Sequence, residues 1–397
     1  MRNIKFLLTV AIALTAMTAG FTVFADVDFC LAEGGMAVSE DLPTGMIPGV
    51  IEIRLMAGEG AGIGSPHAGA EVQFQAVSGR LGIALGYESV RWGAGRYDTL
   101  ILDDRAQSYP FILLNSTAQT KFGRVEYSKL TGKLGPYPDT YLLGQRLDLY
   151  PRPWLRFGIS EVAIADGRFA SMVTNWIPLW PFYLTQHIAI HSGVPEINES
   201  SNENLGLDAT IVLRPGTTVY GEFFVDDMPQ NPKNGGVYQI GFLVGGTTEL
   251  NKDLRLDAEY ARANNYTYTF RNPARSYLNQ GEPLGFQLGP DADRLIIMLR
   301  KQSEKIETRA GVELRRRGEG RIGDKWQDIG WQKARKYSFL YGVVEQTSLA
   351  RAEVDRAFGP ESRIKSGIAI GPVRNKDNVP GATDMRMEWT LGLELKL

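Results

Sequence analysis

The chain has 397 residues, with 43 basic and 45 acidic side chains and a single cysteine. A net charge near zero gives no global field for nucleic acid, and one cysteine excludes an intrachain disulfide. Beyond the N-terminal region no eighteen residues in a row are apolar, which argues against membrane-spanning helices, while 44 glycines and 10% aromatics suit turns and interfacial girdles.

In chain order, Arg2 and Lys5 precede an uncharged, mostly apolar run from Phe6 to Phe24. Val23, Phe24 and Ala25 then offer a small-residue cleavage site before Asp26. This pattern predicts a secretory signal peptide over 1–25; the alternative is a retained anchor helix. Residues 26–48 lack periodicity and are expected to form a short N-terminal periplasmic segment. Cys30 follows Val27, Asp28 and Phe29, a poor match to the small residues before a lipid-modified cysteine, and reads as an ordinary residue.

From about residue 50 onward apolar and polar side chains alternate, as a strand with two different faces requires. Val72, Phe74 and Ala76 alternate with Glu71, Gln73 and Gln75, and Leu81, Ile83 and Leu85 follow a Ser78-Gly79 turn. The same period runs through 254–260 and 306–315. Further strands are predicted near 141–149, 153–163, 205–213, 217–225, 237–245, 293–301, 337–345, 348–356 and 362–370. Turn signals such as Pro215-Gly216, Gly235-Gly236 and Lys252-Asp253 separate them. Stretches 262–291 and 316–335 are long enough for external loops. Residues 172–191 break the pattern, with Trp176, Trp180, Phe182 and Tyr183 around Pro178 and Pro181. Prolines do not fit a central strand, so a loop or short helix packed on something apolar is expected there, in the barrel mouth or at the membrane interface.

The last thirteen residues carry the clearest signal. Met385, Met387, Trp389, Leu391, Leu393, Leu395 and Leu397 alternate with polar or small residues. One greasy face and one charged face over that length suit a tilted strand with lipid outside and a wet lumen inside. Residues 49–397 are therefore expected to form an all-β, transmembrane antiparallel β-barrel of about 16–18 strands in the cell outer membrane. A secreted soluble β-protein would show the same alternation, but the number of segments, the signal peptide and the terminal strand together favour the barrel.

Four stretches resemble the Wzi family of capsule-assembly proteins: Leu81 to Gly95 (LGIALGYESVRWGAG), running on through Leu100–Leu102 to Pro110–Leu114; Val219 to Asp227 (VYGEFFVDD); Glu259 to Tyr268 (EYARANNYTY); and Pro283 to Asp293 (PLGFQLGPDAD). In that resemblance 100–114 corresponds to a loop after the Trp-Gly-x-Gly turn. It implies a monomeric barrel with a small helical plug on the periplasmic side, and a lectin-like role in holding exported capsular polysaccharide on the cell. The chain departs from the pattern in two places: 26–48 is short for that plug, and the last residue is Leu397 rather than an aromatic.

No catalytic set stands out. His187 and His191 are four apart and share a face of a helix or strand, but two imidazoles do not define a metal site. Adjacent acids Asp103-Asp104 and Asp226-Asp227 point apart on a strand. No Gly-x-Ser-x-Gly nucleophile motif is present. No cofactor or metal is expected. A saccharide site needs aromatic platforms and polar groups, and an acidic glycan also needs Arg or Lys. Loop 316–335 offers Arg321, Lys325, Trp326, Trp331 and Arg335, and loop 262–291 offers Tyr268 and Arg271. The plain alternative is a solvated loop with tryptophans at the headgroup girdle. Trp92, Gly93 and Gly95 read as a tight structural turn. The expected function is a non-catalytic barrel that binds and organises capsular or other surface polysaccharide, with a diffusion channel (porin) as the alternative. Its expected partners are that polysaccharide, outer-membrane lipid, and the barrel-assembly machinery during insertion.

Overall fold

The computed structural model describes residues 29–30, 49–59, 66–76, 81–191, 200–229, 235–359 and 362–394, the stretches before Leu81 as backbone only. The expected signal peptide, 1–25, and nearly all of the expected periplasmic segment, 26–48, lie outside the described residues. Besides a two-residue strand, Phe29–Cys30, opposite Ile53 and Glu52, the main sheet holds sixteen long strands among the described residues. They are β1 Gly49–Glu59, β2 Pro66–Ala76, β3 Leu81–Glu88, β4 Tyr109–Thr120, β5 Gly123–Lys133, β6 Tyr141–Arg152, β7 Leu155–Ala165 and β8 Ser201–Arg214. The second half comprises β9 Thr217–Asp227, β10 Gln239–Asn251, β11 Leu254–Ala263, β12 Ala292–Gln302, β13 Ile306–Arg317, β14 Glu345–Ala357, β15 Arg363–Arg374 and β16 Thr383–Glu394. Each pairs antiparallel with the next, and β16 lies beside β1, so the meander returns on itself as a barrel.

Burial follows the sequence period. On β16, Met385, Met387, Trp389 and Leu391 are exposed, while the inward Glu388 holds Arg315 at 2.7 Å and Arg351 at 3.1 Å. On β3 the outward Leu81, Ile83, Leu85 and Tyr87 are exposed and the inward Ala84 is fully buried. The exposed apolar band is the face that meets hydrocarbon. Connections at one end are tight, such as 121–122, 153–154, 215–216 and 252–253; at the other they run over 89–108, 166–200, 264–291 and 318–344. Long connections mark the external side of such barrels.

Two expectations are corrected. The stretch 337–345 is not a strand: α1, Trp331–Lys336, ends there and β14 starts only at Glu345. Its alternation is overridden because its backbone is claimed elsewhere; Tyr341 N–H donates to Asp291 and Val343 N–H to Glu319. Conversely, Pro110–Leu114 is not a loop but the start of β4. Pro110 sits second in the strand, at a position paired with Tyr87 but not with β5, where its missing N–H is tolerated.

Candidate functional site

The lumen beneath the outer mouth is filled by two external loops folded inward. Loop 89–108 enters first. Gly93 has φ +137°, and a Cβ there would lie 2.1 Å from Thr99 Oγ1, so only glycine fits this turn. Trp92 and Leu102 exchange backbone hydrogen bonds of 2.9 and 3.2 Å across the loop. Two strand glutamates then hold its backbone. Glu222 on β9 accepts from the N–H groups of Ala94 (2.7 Å), Gly95 (2.6 Å) and Leu100 (2.7 Å). Glu259 on β11 accepts from those of Arg96 (2.6 Å), Tyr97 (3.1 Å) and Asp98 (2.7 Å). Each carboxylate thus satisfies three donors that would otherwise be orphaned away from water.

Loop 264–291 closes over the first. The Tyr268 hydroxyl donates to Leu100 O at 2.9 Å and accepts from Phe286 N–H at 3.1 Å; the Tyr277 hydroxyl donates to Ile101 O at 2.6 Å. Both phenols are fully buried, and burial holds them well above the usual range, so they serve as neutral donors. Leu100, Ile101 and Leu102 sit in one apolar cluster with inward residues of β3 to β7 and β9 to β12, among them Ala84, Tyr109, Leu130, Val162, Phe224, Leu243 and Ala292. The remaining wall is polar. Arg294 bridges Asp98 (2.7 Å) and Glu313 (3.4 Å), and Arg315 and Arg351 share Glu388 and Glu313. Burial opposes the charge on Arg105, but Asp103 and Asp98 hold its guanidinium well above the usual value.

Loop 318–344 lies over this plug. Gly323 N–H donates to Thr269 Oγ1 at 3.2 Å, joining it to loop 264–291. Asp291 accepts from the N–H groups of Gly320 and Tyr341, both at 3.0 Å, and burial raises its carboxyl despite those bonds. The candidate glycan residues divide here. Lys325 and Arg271 are exposed. Trp331 and Arg335 are together on α1, the guanidinium 4.6 Å from the indole. Arg335 also reaches the Tyr238 ring and donates to Gly236 O at 2.6 Å. For Trp326 the backbone opens a short 3-10 turn, and its side chain lies outside the described residues. Two candidates are corrected. Tyr268 is a fully buried plug residue with both hydrogen-bonding roles used, so it offers no platform to a sugar. Arg321 is a structural brace: it donates to Gly318 O (2.7 Å), Gly320 O (2.9 Å) and Asn378.

Three residues that sequence reasoning passed over also belong to this mouth: Tyr337 and Tyr341, with rings 5.1 Å apart, and Lys336 above Tyr337. His187 and His191 lie on one helix with rings 4.2 Å apart, and among the described residues no group of three or more His, Cys, Asp or Glu could hold a metal ion. The glutamates that hold the plug were readable only in part. Glu222 and Glu259 stand at inward positions opposite Leu243 and Gly245, with no basic partner across the ladder.

A family model described as Capsule assembly protein Wzi matches residues 75–385. Among solved structures, the chain is similar to Wzi of Escherichia coli, an outer-membrane protein involved in group 1 capsule assembly and a carbohydrate-binding β-barrel. The identity is 14% and the TM-score 0.59, over 98% of this chain and 87% of that one, a likeness that shows the fold. The outer-membrane channel DcaP of Acinetobacter baumannii matches at 9% identity and a TM-score of 0.39, over 86% of this chain and 96% of that one, too distant to carry an argument. No curated protein matches at a significant level.

Proposed function

The chain belongs to the Wzi family of capsule-assembly proteins, and from that premise we propose that it is a non-catalytic outer-membrane barrel that binds surface polysaccharide at its external mouth and organises it on the cell. The observation that carries this reading is the plug. Leu100, Ile101 and Leu102 are fully buried between the barrel wall and loop 264–291, which suits a platform better than a diffusion path. Above it, Trp331, Tyr238, Tyr337 and Tyr341 supply ring faces for sugar C–H groups. Lys325, Lys333 and Lys336 are exposed cations for an acidic glycan. Four carboxylates of the lumen are committed elsewhere: Glu222 and Glu259 to backbone donors, Glu313 and Glu388 to arginines. Export by a signal peptide at 1–25, a periplasmic segment at 26–48, insertion by the barrel-assembly machinery and a monomeric state belong to the same reading.

The deciding experiment compares cell-bound with released polysaccharide in a strain lacking the gene, with the gene restored as control. Polysaccharide shed into the medium at unchanged total is the expected result; unchanged partition overturns the reading and favours a channel. A Trp331→Ala/Lys333→Ala/Lys336→Ala variant should bind glycan more weakly while assembling normally. It spares Arg321 and Arg335, whose loss would disturb the loops themselves. Undiminished binding by the folded variant would place the glycan elsewhere.

A further inference from the structure

The connection after β7 does not enter the lumen. It runs as a short helix Gly167–Ala170, a turn Val173–Trp176 and the helix α2, here Phe182–His191 (α1 remains Trp331–Lys336). Lys129, Gln145 and Glu161 form one cross-strand row on β5, β6 and β7. Their neighbours Leu130 and Val162 point inward into the plug cluster, so the row points out, on the lipid-facing wall. The connection covers it. Gln145 donates to Trp180 O at 2.9 Å. Glu161 accepts from the N–H groups of Phe182 (2.9 Å) and Tyr183 (3.1 Å), the first turn of α2, where a carboxylate is favoured by the helix dipole. The Lys129 ammonium lies 4.5 Å from the Phe182 ring centre. Outward Leu143, Ala163 and Ala165 pack with Phe169 and Phe182.

We propose that Asp166–His191 is a membrane clasp: it leaves the mouth, dips down the outer wall into the outer leaflet and climbs back, seated among the acyl chains of membrane lipid. The path is fixed by its contacts. Asp166 caps the first helix at the strand's outer end, Leu179 N–H reaches the Tyr127 hydroxyl at 3.4 Å, and Gln186 reaches Ser201 at the start of β8. Tyr127 lies two residues deeper along β5 than Lys129, so Leu179 is the low point and α2 is the ascending arm. Glu161 is four residues inside the outer end of β7, about 13 Å along a strand at ~3.3 Å per residue and about 9 Å deep at the ~45° tilt of membrane strands.

Two observations select lipid as the occupant. From Phe169 to His191 the sequence holds no Asp, Glu, Lys or Arg, unlike a loop exposed to water. Val173, Trp176, Ile177, Leu179, Leu184 and Ile188 are nevertheless exposed, and this surface continues the lipid-facing band of the wall, where Phe157, Ile159, Leu205 and Leu207 are exposed too.

The test uses the full chain in phospholipid vesicles. In a Cys30→Ala background, which removes the single native cysteine, a nitroxide is placed in turn at Leu179, Leu184 and Ile188. Leu391 on the lipid face of β16 and Phe122 in a periplasmic turn serve as references. Collision with oxygen, which partitions into lipid, is compared with collision with a water-soluble nickel chelate. Leu179 should match Leu391, with oxygen preference falling through Leu184 to Ile188 as the arm rises. Ratios like Phe122 at all three sites would overturn the proposal, as would spin–spin broadening that reported a second copy on this face. Should a label displace the segment, a Trp176→Phe difference measurement decides in its place. Trp176 fluorescence should be quenched by brominated acyl chains, and quenching by aqueous iodide alone would overturn the clasp.

Discussion

The barrel wall holds two loops by the same device on opposite faces, and it holds them unequally. Inside, Glu222 and Glu259 take six backbone N–H groups of loop 89–108, and buried tyrosines secure the next carbonyls. Outside, Glu161 takes two N–H groups of α2. Six donors held by two carboxylates resist opening, because opening must expose all of them at once. Two donors held by one carboxylate leave most of the grip to apolar packing, and so to whatever solvent lies beyond it.

Breaking the inner grip should have the largest effect. Glu222→Ala leaves three buried N–H groups unpaired, at roughly 1–3 kcal/mol each. Thermal unfolding of the purified barrel should drop clearly and ion conductance in a planar bilayer should rise as the plug loosens. Unaltered melting and conductance would mean that the apolar cluster alone secures the loop. Gly93→Ala forces a Cβ into Thr99 and Glu222 at a positive φ, and should cost about 1–3 kcal/mol, read by protease cutting within 92–106. Resistance equal to the parent would show that the turn relaxes without strain.

Two variants sharpen the outer side. Trp389→Asp sets a carboxylate on the lipid face with nothing to cover it, in contrast to the covered Glu161. A basic residue at the midplane costs roughly 2–4 kcal/mol and an acid less, so slower insertion into vesicles is expected; normal insertion would invert the assigned faces. Glu161→Gln keeps an acceptor but removes the charge at the start of α2, a loss of about 0.3–1 kcal/mol. Faster amide exchange at Tyr183 to Thr185 with unchanged barrel melting is the expected signature. A fall in barrel melting instead would mean that the clasp stabilises the wall itself.

The wall was legible in the sequence because its information is local: side chains alternate in sequence as they do in space, and Met385, Met387, Trp389 and Leu391 could face nowhere but lipid. The plug was not, because its bonds join residues more than 120 positions apart, as between Glu222 and Gly95. Tyr268 and Arg321 show the same limit. An aromatic or an arginine in a long loop looks alike whether the loop reaches outward or folds in. The family resemblance had one meaning that only the fold discloses: its four stretches meet inside the barrel, through Leu100, Glu222, Tyr268 and Leu284, and so describe the plug. The clasp had left a trace as well, since Lys129, Gln145 and Glu161 occupy outward positions that bare lipid would not tolerate.

The inner carboxylates grip peptide N–H groups rather than side chains. Ala94, Arg96 and Tyr97 are held without regard to what they carry on their Cβ atoms. Natural variation can therefore rewrite what this loop carries into the lumen, where Arg96 and Tyr97 now meet Asp257, while its path stays fixed, so descendants of one barrel can line the same scaffold with different chemistry.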